Sequence, residues 1–327
     1  MRRKHRRRAM TSAALAAAMA LAPIVPAQAA EKLVAGVAGQ ASPMTWPFYI
    51  AMDKGFLAKR GLEFEVIFAP SASAVLQQLV GGSLDLVAST GINEPIHAAA
   101  KGAPVGILRV IGRVPPYAIL AQPAIHSLKE LKGKTIAIGG LVDISRLYFD
   151  RMLEPNGVRW GEYDPIVIGA TTGRMAALKS GVVAATMLLP PFVFQAEAQG
   201  FNNIGLVGDY AADLPFTACV LSVSWAKQHP DLARGIVAAF DEGLAWFNDP
   251  ANRAEAIAVM VRMFNLNAAD MARSYDFLRK IEFFAPDDKV SRAMLAHVIA
   301  GMKAIGDLED EVAIDKLVLP GVTQFVD

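Results

Sequence analysis

The sequence has little cysteine, little histidine and almost no net charge. Its 327 residues include one cysteine, Cys219, and five histidines, none of which is paired at metal-ligand spacing. A single thiol excludes a disulfide scaffold, a thiolate zinc centre and a cysteine-ligated iron–sulfur cluster. The formal net charge of +1 excludes a strongly basic nucleic-acid-binding protein. We therefore expect no metal, no cofactor and no nucleic-acid partner.

Short motifs of the common enzyme classes are also missing. The sequence contains no glycine-rich dinucleotide turn, no P-loop and no Gly-x-Ser-x-Gly elbow. His97 and His126 stand in helix or loop contexts without an evident acid and nucleophile. An enzyme is therefore the least favoured class of function, and no catalytic residue is predicted.

The first 29 residues differ in composition from the rest of the chain. They carry six basic residues and no acidic residue, followed by an apolar stretch at 13–25 and an Ala-x-Ala triplet at 27–29. This order is typical of a secretory signal peptide, whereas a basic nucleic-acid-binding arm would lack the apolar stretch. We predict cleavage near Ala29 and a mature protein in the periplasm. The sequence leaves both the Sec and the twin-arginine export routes open.

Beyond this segment, no apolar run is long enough to cross a membrane comfortably. The nearest candidate, 182–194, is interrupted by two prolines, and proline ends a strand or opens a helix far more often than it crosses a membrane. The mature chain is therefore predicted to be soluble. Cys219 lies in a β-rich run, 216–223, and a lone thiol in an oxidising compartment persists best when it is buried. We predict that Cys219 is a core residue.

From Lys32 onward, short β-rich runs alternate with helical patterns. Predicted strands cover 33–37, 63–68, 84–88, 105–111, 135–138, 165–168, 184–188 and 217–223. Predicted helices cover 48–59, 73–80, 94–101, 144–153, 172–180 and 192–199. This alternation predicts βαβ units and parallel sheets with helices on both faces. The fold class is α/β, with doubly wound sheets.

Two turn-rich segments, 112–117 and 208–215, separate one α/β block from the next and predict a two-segment hinge. They divide the mature chain into lobe I, 30–120 plus 215–327, and lobe II, 121–214. A ligand cleft is expected between the lobes. After Ser224 the pattern is almost entirely helical, and these helices are predicted to pack on the outer face of a sheet. They cover 225–229, 231–247, 252–264, 268–280 and 291–305.

Ligands of doubly wound sheets bind beyond the carboxyl ends of the strands, where helix N-termini offer free N–H groups to an anion. Turns rich in small or hydroxyl residues follow four predicted strands, at 69–73, 89–93, 139–143 and 169–174. The ligand-binding candidates in them are Ser71, Ser73, Thr90, Asn93, Gly140, Asp143, Thr171 and Thr172. For any one of them, helix capping is an equally good explanation. Convergence of all four turns on one cleft favours binding.

Arginines and aromatic residues near the predicted hinge are further candidates. Arg113 is the cation expected nearest a bound acid, because guanidinium pairs with carboxylate or sulfonate through two hydrogen bonds. An exposed or ion-paired hinge arginine is the equal alternative. Trp46 and Tyr117 border the expected cleft and are candidates for stacking on a ligand, with core packing as the alternative. Arg146 and Arg174, one turn into their helices, are predicted to lie at the surface or to pair with acids.

Five segments of the mature chain, at 47–66, 79–90, 125–140, 176–191 and 224–240, resemble one family. They include Lys-Gly-Phe-Leu-x-x-x-Gly-Leu at 54–62 and Leu-x-x-Gly-x-Leu-Asp at 79–85. The chain resembles the substrate-binding proteins of bacterial ABC importers, in the branch of nitrate, taurine, alkanesulfonate and thiamine-pyrimidine binders. The resemblance implies two lobes of the type II periplasmic binding protein kind that close on a small solute. It also implies a monomer that delivers this solute to an inner-membrane permease.

The leading hypothesis is the capture of a small organic anion, a carboxylate or a sulfonate, including aromatic ones. The alternative within the family is a thiamine-precursor pyrimidine, for which Glu94 and Asp143 are the candidate carboxylates. An enzyme on the same fold and a sensory binding protein are further alternatives. Two features differ from the family pattern: Ala185 stands where members often have an acid, and 139–145 differs from their Gly-Ser-Ser-like turn. The resemblance therefore does not assign the ligand.

Overall fold

The computed structural model describes residues 30–38, 42–69, 71–284 and 290–327. The signal peptide predicted for residues 1–29 lies outside this part of the chain. The described residues form two five-stranded sheets flanked by helices, as the alternating sequence pattern predicts. We call the sheet with the first strand, together with its helices, lobe I, and the other lobe II. None of the helices in the described ranges is long and apolar enough to cross a membrane.

Lobe I is built on strands β1 (Glu31–Ala38), β2 (Leu62–Ala69), β3 (Leu86–Gly91), β4 (Val105–Gly112) and β10 (Thr217–Ser222). Their order in the sheet is β2-β1-β3-β10-β4. Strand β1 runs parallel to β2 and β3, whereas β10 runs antiparallel to β3 and β4. The connecting helices are α1 (Trp46–Asp53), α2 (Ala72–Val80) and α3 (Asn93–Ala100). Helix α2 buries Val75 and Leu79, four residues apart on one face, as a helix on a sheet requires.

Lobe II is built on β5 (Ala118–Ala121), β6 (Thr135–Ile138), β7 (Asp164–Val167), β8 (Ala185–Leu188) and β9 (Asn202–Leu206). The order is β7-β6-β8-β5-β9, with β6 parallel to β7 and β8. Strand β5 is antiparallel to both of its neighbours. The helices of this lobe are α4 (Ile144–Leu153), α5 (Thr171–Lys179) and α6 (Phe192–Glu197).

Within the described residues, the chain crosses between the lobes twice, after β4 and after β9. The strand after each crossing, β5 or β10, is antiparallel to its neighbours, so the expectation of parallel sheet does not hold for these two strands. The physical reason is that each enters its sheet directly from the other lobe, whereas parallel neighbours need a helical crossover. Ala118–Ala121 pairs in the lobe II sheet, although lobe I was expected to extend to residue 120.

Among the described residues after β10, the chain is mainly helical. The helices are α7 (Val223–Gln228), α8 (Pro230–Asn248), α9 (Arg253–Phe264), α10 (Ala268–Lys280) and α11 (Arg292–Ala304). Helix α8 approaches α1 closely because Gly243 has no side chain: a Cβ atom there would lie 2.4 Å from the carbonyl oxygen of Pro47. Helix α8 therefore packs on a helix of lobe I, consistent with helices that cover the outside of a sheet.

Helices α10 and α11 also reach lobe II. The ring of Phe277 on α10 packs edge-on against Phe194 of α6, with 5.9 Å between the ring centres. On α11, Gly301 lies against Leu147 of α4. The C-terminal helices, which the sequence placed with lobe I, therefore contact both lobes.

Cys219 lies on β10 and is fully buried. Burial raises the pKa of its thiol, because the thiolate would lose its hydration. The thiol is therefore protonated and inaccessible, which confirms the prediction of a core residue.

Candidate functional site

A cleft of about 540 Å³ lies between the two lobes. Its walls include residues of the four turns that follow β2, β3, β6 and β7, so the predicted convergence of these turns is confirmed. The residues from these turns and from the helix starts beside them are Ser71, Ala72, Ser73, Ser89, Thr90, Gly91, Asn93, Glu94, Gly139, Asp143, Ile144, Ser145, Gly169, Ala170 and Arg174. Both lobes contribute, as expected for a site that closes on a solute.

Arg174 on α5 is a buried arginine in the wall of this cleft. The residue is only 3% exposed, yet it lines the cleft. One guanidinium nitrogen donates to Thr171 Oγ1 at 3.1 Å, and the guanidinium lies 5.7 Å from the ring centre of Tyr117. Within the described residues, Arg174 Nε has no hydrogen-bond partner and no ion pair involves this side chain. A buried guanidinium without a carboxylate is suited to an acid supplied by a ligand.

Two buried hydroxyl groups on adjacent strands face the same cleft. Thr90 on β3 is 2% exposed and Thr217 on β10 is 5% exposed. The strands pair here, with Ala218 opposite Thr90. Neither hydroxyl has a hydrogen-bond partner among the described residues. Because an unpaired buried hydroxyl costs about 1–3 kcal/mol, both are suited to hydrogen bonding with a solute.

The serines of the first turn cap a helix and line the cleft at the same time. Ser71 Oγ accepts the N–H of Ala74 at 3.2 Å, which caps α2. It also lies 3.1 Å from Ser73 Oγ, so the two hydroxyl groups form a pair at the cleft wall. Capping and solute binding, the two alternatives raised by the sequence, are therefore compatible here.

In lobe II, Asp143 likewise caps a helix and lines the cleft. Its Oδ1 accepts the N–H of Ser145 at 2.8 Å and so caps α4. The N–H of Gly139 donates to Ser145 Oγ at 2.9 Å, which closes the turn. Glycine is needed at this position because a Cβ atom would lie 2.8 Å from both Asp143 Oδ1 and Ser145 Oγ. This tight turn places the backbone of Gly139 and the carboxylate of Asp143 at the cleft.

Helices α3 and α5 begin at the cleft without a side-chain cap. The N-cap of α5 is Ala170, which lines the cleft next to Gly169. Uncapped N–H groups and the helix dipole give this end a partial positive charge. In α3 the first turn instead contains Glu94, a negative group at the same cleft. The electrostatic character of the cleft is therefore mixed.

Glu94 is a carboxylate in partly buried surroundings. Its Oε1 accepts a long hydrogen bond, 3.4 Å, from Asn93 Nδ2. Burial raises the pKa of Glu94, and the neighbouring carboxylates of Asp143 and Asp307 raise it further, against the opposing effect of His97. His97 Nε2 itself lies 3.2 Å from Asp307, and this contact raises the pKa of the imidazole.

Apolar side chains form another part of the cleft wall, namely Met44, Tyr117, Leu189 and Phe216. Tyr117 packs edge-on against Phe216, with 5.4 Å between ring centres. A wall of this kind favours an organic body over a bare inorganic ion.

Two candidates lie away from the cleft. Trp46 is fully buried, and its indole N–H donates to the carbonyl of Ala256 at 2.8 Å, so it is a core residue. The side chain of Arg113 is 47% exposed and lies 3.7 Å from Glu282, outside the cleft wall. Arg174, and not Arg113, is the buried arginine that lines the cleft.

Three further candidates, Gly140, Thr171 and Thr172, do not line the cleft. A Cβ atom at Gly140 would lie 2.9 Å from Cβ of Asp143, so this glycine allows the turn to place Asp143. Thr171 accepts the hydrogen bond of Arg174, and Thr172 is exposed. The remaining candidates, Ser71, Ser73, Thr90, Asn93, Tyr117 and Asp143, all line the cleft.

Sequence reasoning missed Arg174 and Thr217. Arg174 was expected at the surface or beside an acid, but helical side chains lean toward the helix N-terminus, which here points at the cleft. An arginine in the first turn of a helix that follows a glycine-containing turn, with a side chain that leans toward the helix N-terminus, was the sequence signal for a residue at the cleft. Thr217 starts the strand after the second crossing, and only its pairing beside β3 brings it to the cleft. The sequence alone gives no signal for that.

A family model described as NMT1/THI5 like matches residues 42–253. The search of curated proteins found no match. The fold is similar to that of the periplasmic aliphatic sulphonate binding protein SsuA from Escherichia coli, with a TM-score of 0.73, 21% sequence identity, and coverage of 89% of this chain and 98% of that one.

Two further solved structures share the fold. For the alkanesulfonate-binding protein SsuA from Xanthomonas axonopodis pv. citri, bound to MOPS, the TM-score is 0.71, the identity 19% and the coverage 89% of this chain and 99% of that one. For the periplasmic nitrate-binding protein NrtA from Synechocystis PCC 6803, the TM-score is 0.62 and the identity 21%, with coverage of 75% of this chain and 70% of that one. At these identities the likeness concerns the fold.

The segment matched by the family model is more than half of the chain. It begins before α1, ends at the start of α9 and contains all four turns that line the cleft. The chain belongs to the NMT1/THI5-like family.

Proposed function

We propose that this protein is the solute-binding subunit of an ABC importer and that it captures a small organic anion. The observation that carries this proposal is the buried guanidinium of Arg174, which lines the interlobe cleft and pairs with no carboxylate among the described residues. Membership of the family and the fold shared with sulphonate- and nitrate-binding proteins support it.

In the proposed complex, the acid of the solute pairs with Arg174 through two hydrogen bonds. The hydroxyl groups of Thr90 and Thr217 donate to the same acid or to a polar group beside it. Free N–H groups at the start of α5 add further donors. Closure of the lobes about the crossings after β4 and β9 then removes water from these contacts.

The solute is proposed to be a carboxylate or sulfonate with an organic body. Met44, Tyr117, Leu189 and Phe216 line the cleft, and such a wall gains free energy from apolar contact with the ligand. A cleft of about 540 Å³ has room for more than an inorganic ion, including an aromatic acid.

The proposed cellular role follows from the same function. The mature protein, from about residue 30, would work as a monomer in the periplasm and present its loaded form to an inner-membrane permease. The lobes would be 30–117 plus 215–327 and 118–214, with the boundary set by β5 (Ala118–Ala121). Catalysis by the cysteine is not part of this role, since Cys219 is buried outside the cleft wall.

A thiamine-precursor pyrimidine is the second candidate solute, and Glu94 and Asp143 in the cleft wall favour it. Carboxylates of this kind accept hydrogen bonds from an aminopyrimidine. The organic anion and the pyrimidine differ in the residues that they require, because a pyrimidine without an acid group does not need Arg174.

Calorimetric titration of the mature protein against a panel of sulfonates, carboxylates and an aminopyrimidine tests the proposal. The protein is unfolded and refolded first, to remove any solute that co-purifies, and native mass spectrometry of the untreated protein identifies that solute. We expect at least one acid to bind, and Arg174→Met to weaken it roughly 10- to 100-fold, the range for hydrogen bonds to charged groups.

Arg113→Met is the matched control, because it removes a guanidinium that lies outside the cleft wall. It should leave the affinity for the acid within about twofold, which is well under the change expected from one charged hydrogen bond. The proposal fails if folded protein binds no acid of the panel, or if Arg174→Met binds the acid as tightly as the parent.

A further inference from the structure

Helix α11 packs closely on lobe II, and we call this helix together with residues 305–307 the strap. Gly301 lies against Leu147 of α4, so closely that a Cβ atom on the glycine would be 2.5 Å from the leucine side chain. Just after the helix, the carbonyl oxygen of Ile305 accepts a long hydrogen bond, 3.5 Å, from Arg146 of α4. The strap and α4 are therefore in direct contact at two points.

A carboxylate in the second crossing joins the strap to α4 once more. Oδ2 of Asp213, which follows β9, lies 3.3 Å from Nδ1 of His297 on the strap and 3.2 Å from a guanidinium nitrogen of Arg151 on α4. The crossing is one of the two segments about which the lobes would move. Motion of lobe II away from the strap would therefore break this cluster as well as the packing on α4.

At its other end the strap is attached to lobe I through Asp307. Oδ2 of Asp307 lies 3.2 Å from Nε2 of His97 on α3, and the two side chains are 10% and 30% exposed. The chain then returns to the sheet of lobe I, where the carbonyl oxygen of Leu317 accepts the N–H of Ile107 at 2.7 Å. Segment 308–316 links these two attachments.

The charged groups around His97 favour its protonated form. Glu94 and Lys101 lie on the same helix, Asp307 on the strap and Asp143 at the start of α4, and all of them line one cavity of about 850 Å³. Helix α2 contributes uncharged residues to this cavity. The contact with Asp307 raises the pKa of His97 above its ordinary 6.5, with help from Glu94 and against burial and Lys101. The charged contact is therefore complete below pH 6.5 and is lost as the pH rises through the raised value.

We propose that the strap is a proton-operated latch between the lobes: protonated His97 holds the strap on α3 and keeps the lobes together, and loss of the proton lets them separate. Since a charged hydrogen bond is roughly twice as strong as a neutral one, the neutral imidazole holds Asp307 more weakly. Segment 308–316 then still ties the strap to lobe I, but the strap can follow α4 as the lobes move apart. The latch goes beyond the proposed function, because it acts with or without a solute.

Energy transfer between two dyes on the solute-free protein tests the latch from about pH 5 to about pH 9, the range in which an imidazole titrates. The dyes are attached through Glu65→Cys on β2 and Asp164→Cys on β7, the edge strands on the side of each sheet away from the crossings. The natural thiol, Cys219, is buried and protonated and does not take up dye. We expect the transfer to fall in one transition, with its midpoint above pH 6.5, as the lobes separate.

Substitutions assign the transition to the contact between His97 and Asp307. His97→Gln and Asp307→Asn each keep a hydrogen-bonding group but remove one charge, so each should abolish the transition and show the low transfer of the open form at every pH. His297→Gln, on the strap but in the cluster with Asp213, should keep the midpoint in place. His229→Gln is the control, because this imidazole stacks on Trp225 in lobe I, with 4.9 Å between ring centres, and should leave the whole profile unchanged.

Transfer that does not change with pH overturns the latch. So does a transition that survives in both His97→Gln and Asp307→Asn, since it would then belong to another group, such as Glu94 or His297. Thermal unfolding shows which variants are folded, and either of the two is sufficient if the other does not fold. Because the solute is absent, these outcomes are independent of the proposed function, and a protein that binds no acid of the panel would leave the latch standing.

Discussion

The guanidinium of Arg174 lies 5.7 Å from the ring centre of Tyr117. This contact joins α5 of lobe II to the segment where the chain first crosses between the lobes. Thr171 Oγ1 accepts a hydrogen bond from the same guanidinium at 3.1 Å. The guanidinium is therefore held in place before a solute arrives, so less side-chain freedom is lost on binding.

The contact with Tyr117 predicts a graded response to substitution. Tyr117→Leu removes the aromatic ring and should weaken the binding of the acid roughly three- to tenfold, which corresponds to a cation–π contribution of about 1 kcal/mol. Tyr117→Phe keeps the ring and should bind within about twofold of the parent, since the ring face carries the attraction. Calorimetric titration with one acid measures both variants.

The expected order is parent, then Tyr117→Phe, then Tyr117→Leu. Equal weakening in both variants would assign the effect to the phenolic hydroxyl and contradict the role of the ring. Thermal unfolding of the ligand-free variants shows whether either change acts through the fold.

Thr90→Val should separate binding from stability. The Thr90 hydroxyl is buried without a partner among the described residues, so valine removes an unpaired polar group at nearly constant volume. The free energy of unfolding of the ligand-free protein should stay the same or rise by about 1 kcal/mol. Affinity for the solute should fall roughly fivefold, because a donor to the ligand is lost. Urea unfolding and calorimetry give the two quantities.

Thr186→Val is the matched control for this pair of measurements. Thr186 is equally buried, but its hydroxyl donates to the carbonyl of Ala137 at 3.0 Å and it lies outside the cleft wall. Its replacement should lower the free energy of unfolding by about 1 kcal/mol and leave the affinity unchanged. A loss of stability in Thr90→Val would show that its hydroxyl has a structural partner.

Most of the architecture could be predicted from local pattern. The strand Thr135–Ile138 and the helices Ile144–Leu153 and Ala268–Lys280 have the bounds that the sequence indicates. Strands β5 and β9 could not be predicted in this way. Ala118–Ala121 is a run of four residues, and Asn202–Leu206 begins with two asparagines, which disfavour strands, so only pairing in the sheet defines them.

The candidate site was predictable where it depends on the ends of strands and helices. Ser71 and Asp143 follow from that rule, because strand order alone brings such turns together. The core position of Trp46 could not be predicted from this rule, because it depends on contacts with Phe247 and Tyr275, about 200 residues later in the sequence. The sequence signal for Arg174 was its place in the first turn of a helix that begins at a strand end, because helical side chains lean toward the helix N-terminus.

Gly243→Ala should be strongly destabilising although alanine favours helices. A Cβ atom at this position of α8 would lie 2.4 Å from the Pro47 carbonyl oxygen, and backbone cannot move aside cheaply. We expect the free energy of unfolding to fall by about 2–3 kcal/mol, more than offsetting the gain in helix propensity of about 1 kcal/mol. Urea unfolding measures the difference.

Gly235→Ala, on the same helix, is the control. A Cβ atom there would have its nearest neighbours at 3.6 Å, an ordinary van der Waals distance. This variant should be as stable as the parent or up to about 1 kcal/mol more stable. If both variants change stability alike, the close approach of α8 to α1 is not what requires glycine at 243.

Asp150→Asn should raise stability at neutral pH and leave it nearly unchanged in acid. Burial raises the pKa of Asp150 to about 6, from an ordinary value of 3.8, although Arg146 at 3.4 Å opposes this shift. Because the folded state favours the protonated carboxyl, this group stabilises the fold fully below pH 3.8 and loses that contribution as the pH rises through about 6.

Asparagine imitates the protonated side chain at every pH. The variant should therefore exceed the parent in free energy of unfolding by roughly 2 kcal/mol at pH 8, with the difference shrinking toward zero near pH 4. Urea unfolding of both proteins across this range isolates the residue, since the other titrating groups are common to the pair. A difference that stays constant with pH, or that favours the parent at pH 8, would mean that the ion pair with Arg146 outweighs the cost of burying the Asp150 carboxylate.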